Sequence, residues 1–312
     1  MKKRDTKKSL ITFFIFTFNE AHRIEYPIKN FLPYGDVVVV DNYSTDTTSA
    51  LAASLGARVI KYKNNGVVET VAETEYLFKK IKTDWVFWGF ADIMVPNTCL
   101  DKYIEIIQTK KYKAVIQKKK TFLFDTKHEY LPSYATVNLF KKDSLDFSND
   151  MVHQMGRFQK EVKADEIYYM PPLDEYSIYH YSTHTISDML RQFFNYHGVH
   201  AEQISKKHLG RRLLLAPSFY FFYNYFFAGA FRYGIQGFLV AVLYAIYQFM
   251  VYARAYEISN HINRVTIEEK FQKGKEFLLK NNPHSNVFYK LWGYSRLIII
   301  AWLYKKIKFT TS

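Results

Sequence analysis

Acidic side chains stand at the ends of predicted strands in the first hundred residues. Four consecutive valines, Val37–Val40, predict a strand that is buried on both faces, and this strand ends on Asp41. A loop of small polar residues follows, in which Asp46 is placed to cap the next helix. Since ligands of β-loop-α-β units bind beyond the carboxyl ends of the strands, both aspartates lie where a nucleotide would bind. From this pattern alone, a second interpretation stays open: Asp46 only caps a helix and Asp41 only ends a strand.

Strands and helices are predicted to alternate through the first hundred residues. Predicted strands include Ile11–Thr17 and Trp85–Trp88, and Asn97–Gln108 is predicted to be a helix behind Pro96. This alternation predicts an α/β fold with a mostly parallel, doubly wound sheet. Between residues 113 and 182 the pattern is more strand-like, and Lys118–Lys120 are expected at a solvated edge, with a phosphate-facing patch as the alternative.

The whole-chain composition narrows the classes of partner. The chain has 312 residues, 48% of them hydrophobic and 18% aromatic, with a formal net charge of +14. The positive charge favours an anionic partner, such as acidic lipid or a phosphorylated substrate. Without zinc-finger spacing or an RNP-like aromatic signature, no nucleic-acid partner is expected. The single cysteine, Cys99, excludes an internal disulfide.

The composition changes after residue 185, which predicts a catalytic domain over residues 1–185 and a helical, membrane-associating region over 186–312. Leu213–Phe231 and Tyr233–Ala253 contain no charged residue, and each is about as long as the roughly 20 residues that span a bilayer. Pro217 and Asn224 interrupt the first run, which favours helices lying in the membrane interface. A spanning two-helix hairpin and a buried aromatic core are the alternatives. The spacing of the histidines in this region fits no common set of metal ligands: His184, His197, His200 and His208.

The chain resembles family 2 glycosyltransferases of the GT-A fold, most closely the branch of bacterial lipopolysaccharide-core β-glucosyltransferases. The resemblance is to the family's T-x-N-E, V-D-x-x-S-x-D-x-T, DxD, V-H-E and H-Y-S segments. They correspond here to Phe16–Glu20, Val40–Thr48, Asp84–Pro96, Val152–Gln154 and His180–Ser182. The resemblance covers nearly the whole chain, and its first two segments are the most specific.

The resemblance implies a role for particular residues. Asn19, Glu20, Asp41 and Asp46 are expected to line the nucleoside pocket. Asp92, with His180 as a second protein ligand, is expected to bind Mg²⁺ or Mn²⁺, which offsets the charge of a leaving diphosphate.

Two positions depart from the family pattern. The first acid of the DxD segment is Phe90, and the glutamate of V-H-E, the expected general base, is Gln154. Because an amide cannot take a proton at neutral pH, the base is expected to be Asp150 or His153.

The resemblance therefore implies transfer of a sugar, with inversion at its anomeric carbon, from a UDP-sugar to a lipid-linked or cell-surface glycan such as the lipopolysaccharide core. The expected location is the cytoplasmic face of the cell membrane, by peripheral attachment or a short helical hairpin. Two alternatives follow from the departures and from the basic tail: a degenerate relative that binds nucleotide without transfer, and a membrane-surface protein with no nucleotide site.

Overall fold

A computed structural model describes residues 9–64, 70–124, 129–148, 157–281 and 287–309. The chain divides into two compact units, Met1–Tyr256 and Glu257–Ser312. The domain boundary near residue 185, drawn from the change in composition, stays a prediction.

Nine of the described strands form one mixed sheet, and two more pair with each other. The strands are β1 (Ile11–Thr17), β2 (Asp36–Asp41), β3 (Arg58–Lys61), β4 (Trp85–Phe90), β5 (Ile93–Met94), β6 (Ala114–Leu123), β7 (Glu129–Lys141), β8 (Leu145–Asp146), β9 (Arg157–Phe158), β10 (Ile167–Tyr169) and β11 (Ile178–Thr183). The large sheet has the order β3-β2-β1-β4-β7-β6-β11-β5, with β10 paired to β6, while β8 pairs with β9.

The described α-helices flank the sheet or follow it. They are α1 (Glu25–Phe31), α2 (Thr48–Ser54), α3 (Val71–Lys79), α4 (Asn97–Gln108), α5 (Ile186–Gln203), α6 (Leu209–Phe222), α7 (Gly234–Ser259), α8 (Arg264–Lys280) and α9 (Val287–Phe309). One core cluster joins a face of the sheet to α1 and α4, and another joins strand residues to Leu77 of α3. The predicted helix at Asn97–Gln108 is confirmed to the residue.

The parallel centre of the sheet brings the predicted site segments to one edge. β1 lies between β2 and β4, with Thr17 opposite Asp41 and Phe16 opposite Phe90. The loops after these three strands therefore leave the sheet side by side. The four valines of β2 are buried on both faces, as predicted. The architecture is the predicted GT-A type, a mostly parallel sheet in which β7 runs antiparallel to both β4 and β6.

The prediction of a solvated edge at Lys118–Lys120 is wrong. These lysines belong to β6, which is paired on one side with β7 and on the other with β11. Lys120 is only 8% exposed, and its ammonium group lies 2.9 Å from a carboxylate oxygen of Asp174. The three lysines therefore lie within the sheet, and the carboxylate of Asp174 compensates for the burial of the positive charge of Lys120.

The two uncharged runs differ in structure. The first contains the end of α6 with Pro217 inside it, a π-helical turn at Tyr223–Phe227 and Gly229 with a φ of 75°. The second is mainly α7. Among the described residues, the helical stretch Ala230–Ser259 alone is long and apolar enough to cross a membrane, by length and composition only.

Candidate functional site

The loops that follow β1 and β2 are joined by hydrogen bonds. The backbone N–H of Asn19 donates to Ser44 Oγ at 2.9 Å, and Asn19 Oδ1 accepts from the backbone N–H of Thr45 at 2.8 Å. Asn19 and Tyr43 both have a left-handed backbone, with φ of 57° and 59°. Asparagine tolerates this conformation, whereas for a bulky residue such as Tyr43 it is unusual and marks a constrained loop.

Asp46 joins the same two loops while also capping α2. Its Oδ2 accepts from the backbone N–H of Ala21 at 3.2 Å, and its Oδ1 accepts from the backbone N–H of Thr48 at 3.0 Å. Glu20 adds a further link, since its N–H donates to Thr48 Oγ1 at 2.9 Å. Burial raises the pKa of the Asp46 carboxyl group, but the hydrogen bonds of Thr48 and Ala21 outweigh it and lower the pKa. Asp46 can therefore cap α2 and at the same time belong to a nucleotide site, so the two interpretations do not exclude each other.

Asp41 lies beneath the second loop. Its side chain is fully buried. Its Oδ1 accepts from the backbone N–H of Ser44 at 3.0 Å, and its Oδ2 accepts from Ser49 Oγ at 2.5 Å. The carboxylate fixes the conformation of the loop from Asn42 to Thr47. The structure thus brings together the four residues that were expected to share a pocket: Asn19, Glu20, Asp41 and Asp46. Their role in binding a nucleoside stays a prediction.

Asp92 follows β4 and meets His180 of β11. His180 Nε2 lies 3.2 Å from Asp92 Oδ2, and His180 Nδ1 lies 3.3 Å from Thr121 Oγ1 of β6. The backbone holds the same geometry, because the N–H of Tyr181 donates to the carbonyl of Asp92 at 2.9 Å. The two predicted metal ligands, distant in sequence, are therefore adjacent.

Two cations lie close to this pair. Arg23 Nη1 is 3.9 Å from Asp92 Oδ2, and the charge of Lys119 acts on both Asp92 and His180. Burial raises the pKa of the Asp92 carboxyl group, but His180, Arg23 and Lys119 lower it by more, to about 2. Burial is the main cause that lowers the pKa of His180 below its ordinary value. At neutral pH the pair is thus a carboxylate beside a neutral imidazole.

Arg23 connects the nucleotide loops to the Asp92 region. Its Nε and Nη2 donate to the two carboxylate oxygens of Glu20, at 2.5 and 2.6 Å, and its Nη1 donates to the carbonyl of Tyr181 at 3.1 Å. A guanidinium group has five N–H donors, so two remain beyond these three bonds to described residues. Burial lowers the pKa of Arg23, but Glu20 and Asp92 raise it by more.

The Asp92 carboxylate has an unused oxygen. Its Oδ1 is buried and has no hydrogen-bond partner among the residues that the structure describes. Leaving such a group unmet costs about 1–3 kcal/mol or more, so it marks a place for a donor or a cation. The donor set, one ionised carboxylate and one neutral imidazole, fits Mn²⁺ or Mg²⁺ that takes its other ligands from substrate and water. Within the described ranges, no group of three or more His, Cys, Asp or Glu side chains could hold a metal.

Phe90 fills the position of the first family acid, and packing explains its type. Its ring centroid lies 5.7 Å from that of Phe16, which in turn packs against Trp88 at 4.5 Å. A charged side chain here would have to leave this aromatic cluster. Asp150, His153 and Gln154 lie outside the described residues, and their assignment stays a prediction.

One residue of this site, Arg23, has no role in our sequence-based predictions. The sequence signal for Arg23 was its spacing of three residues from Glu20, which a turn brings together: the backbone N–H of Arg23 donates to the carbonyl of Glu20 at 3.0 Å. Lys119 belongs to the Lys118–Lys120 run, for which a phosphate-facing patch was the alternative prediction, and the alternation of a strand turns it to the opposite face from Lys118 and Lys120.

Comparison with known proteins relates this chain to glycosyltransferases. The family model for Glycosyl transferase family 2 matches residues 12–161. A protein named as an uncharacterized glycosyltransferase of Rickettsia bellii is 31% identical over 274 residues, covering 84% of this chain and 90% of the relative. One of Rickettsia conorii is 28% identical over 287 residues, covering 88% and 99%.

Among solved structures, glucosyl-3-phosphoglycerate synthase from Mycobacterium tuberculosis, in complex with Mn²⁺, UDP and glucosyl-3-phosphoglycerate, is 23% identical with a TM-score of 0.28. That match covers 36% of this chain and 43% of the synthase, less than half of its length. The family model and the Rickettsia relatives, which align over most of both chains, show that the chain belongs to the family 2 glycosyltransferases, enzymes that draw a sugar from a nucleotide-sugar donor.

Proposed function

We propose that this glycosyltransferase transfers the sugar of a UDP-sugar to a lipid-linked or cell-surface glycan at the cytoplasmic face of a membrane. The observation that supports it most is the single edge of the sheet where the bonded loops after β1 and β2 meet Asp92, Arg23 and Lys119. A nucleoside diphosphate needs loop contacts for its nucleoside and positive charge for its phosphates, and both are present at this edge.

The chain's own residues divide the work of donor binding. The loops held by Asp41 and Asp46 form the wall against which the nucleoside lies. Arg23 would donate to the diphosphate through N–H groups that its bonds to Glu20 and Tyr181 leave over, and Lys119 would add a second positive charge. Together they stabilise the negative charge that grows on the leaving diphosphate.

Asp92 Oδ1 and His180 would hold Mg²⁺ or Mn²⁺. When bound there, the cation supplies further charge compensation for the leaving diphosphate. Because Phe90 removes one family carboxylate, we expect the empty protein to bind the cation weakly and the donor's phosphates to complete its ligand shell.

The acceptor proposal rests on the C-terminal half of the chain. A lipid-linked or lipopolysaccharide-core-like glycan is presented at a membrane surface, and the helices from α6 to α9 carry large exposed apolar side chains. The net charge of +14 favours attachment to an anionic surface.

A donor panel tests the proposed function. Detergent-solubilised protein would be incubated with UDP-, GDP- and dTDP-sugars, with and without Mn²⁺, and with lipid-linked glycan acceptors. We expect transfer from a UDP-sugar. Tight UDP binding without transfer to any acceptor would favour the degenerate relative, and no binding of any nucleoside diphosphate would contradict the nucleotide site itself.

Asp41→Asn is expected to weaken UDP binding by about ten- to a hundredfold, without unfolding the protein. Removing the charge of a buried, hydrogen-bonded carboxylate costs about 1.5–3 kcal/mol. We expect this cost to appear as weaker hydrogen bonds from Asp41 to the loop after β2, which would then bind UDP less tightly. Calorimetric titration with UDP measures the effect, and circular dichroism checks the fold. Asp36→Asn, at the exposed start of the same strand, is the matched control. Unchanged UDP affinity in Asp41→Asn would remove Asp41 from the site.

Arg23→Gln is expected to weaken UDP binding by at least about tenfold and uridine binding by much less. The guanidinium would act on the phosphates, and a charge-assisted hydrogen bond is worth about 1.5–3 kcal/mol. Calorimetry with UDP, UMP and uridine separates a phosphate effect from a general loosening of the loops. Arg58→Gln, an exposed arginine at the start of β3, is the control. An equal loss for all three ligands would show that Arg23 only fastens Glu20 to Tyr181.

A further inference from the structure

We infer that α7 lies in the plane of an anionic membrane surface, with its outer face in the lipid, and does not cross the bilayer. This inference deepens the proposed function, on which it rests for the place of the acceptor. The sequence alone left the in-plane helix and the spanning hairpin as alternatives, and the packing of α7 distinguishes them.

Burial divides α7 into two opposite faces, although its sequence is apolar all round. The inner face is 9% exposed or less and consists of Val240, Ala241, Leu243, Tyr247, Val251 and Ala255. The outer face is 36–71% exposed and consists of Ile235, Phe238, Leu239, Ile246 and Phe249. At 100° per residue, the outer residues all fall within one stripe on the side opposite the inner ones.

The inner face of α7 packs on α5 and on β6 of the large sheet. Val240, Leu243, Tyr247 and Val251 share a core cluster with Met189 and Phe193 of α5 and with Leu123 of β6. The Tyr247 hydroxyl is hydrogen-bonded to His200 Nδ1, which ties the same two helices together. α5 begins three residues after β11, the strand that carries His180.

This packing is incompatible with a spanning α7. If α7 crossed the bilayer, α5 would enter the hydrocarbon beside it. α5 carries Asp188, Arg191 and Glu202 along its length, and the Arg191 side chain is 73% exposed. A charged residue placed in the hydrocarbon of a bilayer is energetically costly. An in-plane orientation avoids this cost, because α5 covers the side of α7 that faces away from the lipid.

The outer apolar surface continues from α7 onto α6. The ring centroids of Phe221 and Phe238 lie 5.9 Å apart, so the two helices are in contact. On the α6 side, Leu214 is 75% exposed and Phe227, in the π-helical turn, is 87% exposed. Aromatic and aliphatic side chains of this kind are typical of helices buried about 5–10 Å into the headgroup boundary.

The charge beside this surface identifies an anionic lipid surface as its occupant. Lys206, Lys207 and Arg211 are exposed immediately before or within the first turn of α6. No acidic residue occurs in the sequence between Glu202 and Glu257. Basic residues near an anionic lipid surface are attracted to its headgroups. A second copy of this surface would instead bring like charges together.

Cysteine accessibility tests the orientation directly. The native Cys99 is fully buried, so the unmodified chain provides the labelling background. Gln236→Cys and Arg254→Cys place single thiols on one flank of α7, 18 residues or roughly 27 Å apart. Each variant would be bound to the outside of vesicles of phosphatidylglycerol and phosphatidylcholine and treated with a membrane-impermeant maleimide.

We expect both thiols to react before detergent is added, to within about twofold of each other. Protection of one end until detergent is added would show a spanning helix and overturn the inference. Absence of any vesicle binding, or a soluble dimer that buries both thiols, would overturn it equally. The labelling needs no donor or acceptor, so failure of nucleotide binding would contradict the proposed function without changing this result.

A paired substitution tests the outer face itself. Ile246→Ser with Phe249→Ser is expected to lower vesicle binding by at least about tenfold while the protein stays folded. Tyr26→Ser, at a 65% exposed aromatic residue of α1, is the matched control and is expected to bind as the native chain does. Equal binding by both variants would contradict the assignment of this face.

Discussion

Asp92→Asn is expected to lower the rate of sugar transfer by at least about a hundredfold and to abolish its dependence on Mn²⁺ or Mg²⁺. The substitution keeps the size of the side chain but removes the charge of its buried, unpartnered oxygen. Calorimetry would measure UDP affinity in metal and in excess chelator. We expect the native protein to bind UDP more tightly with metal, and Asp92→Asn to bind it equally in both.

The matched control is Asp143→Asn, an exposed aspartate in the turn after β7. It is expected to keep the metal effect of the native chain. His180→Ala is expected to weaken the metal effect without removing it, since Mn²⁺ accepts an imidazole ligand but Asp92 remains. Full activity of the native protein in excess chelator would show that Asp92 is not a metal ligand, and tight metal binding by the empty protein would contradict the weak site proposed above.

The general base is the second position at which a large loss is expected. One of Asp150→Asn and His153→Gln is expected to lower kcat by about 10²–10⁴, the usual contribution of a general base, while the other costs less than about tenfold. The pH profile identifies which group is the base. A carboxylate base loses activity near its ordinary pKa of about 4, and an imidazole base near about 6.5, because protonation removes the base in each case.

Gln154→Glu tests the same position in the opposite direction. It places a carboxylate where the family resemblance expects the base, and we expect transfer to increase or to lose its dependence on the other two residues. If no substitution at these three positions changes the rate of transfer, the segment does not supply the base.

The predictable parts of the fold are those in which local pattern and tertiary structure agree. Val37–Val40 is buried on both faces, a position for which a run of β-branched residues is suited. The helix Asn97–Gln108 begins directly after Pro96, and because proline is common at the start of helices, this residue marks the boundary in the sequence. Val287–Phe309 is a helix within the region 186–312 that was predicted to be helical.

The errors arise where long-range pairing overrides local chemistry. Three consecutive lysines indicate an exposed segment. In the structure, however, β6 is paired with β11 on one side and with β7 on the other, and Asp174 forms ion pairs with Lys118 and Lys120. Pairing across sequence distance also explains the contact between Asp92 and His180, which only the family resemblance indicated. Arg23 was missed because its three hydrogen-bond acceptors include the carbonyl of Tyr181, 158 residues away.

The bonded loops have a consequence for the thermodynamics of donor binding. Fixing the backbone of one residue costs about 1–2 kcal/mol of conformational entropy, so ordering a free loop of six residues would cost about 6–12 kcal/mol. That is comparable with the whole binding free energy of a ligand held at micromolar affinity, about 8 kcal/mol. Here the chain's own hydrogen bonds, through Asn19, Asp41 and Asp46, fix the loop after β2. The conformational entropy of this loop is therefore lost when the protein folds. The free energy of the contacts with the donor then contributes to affinity without a deduction for ordering the loop.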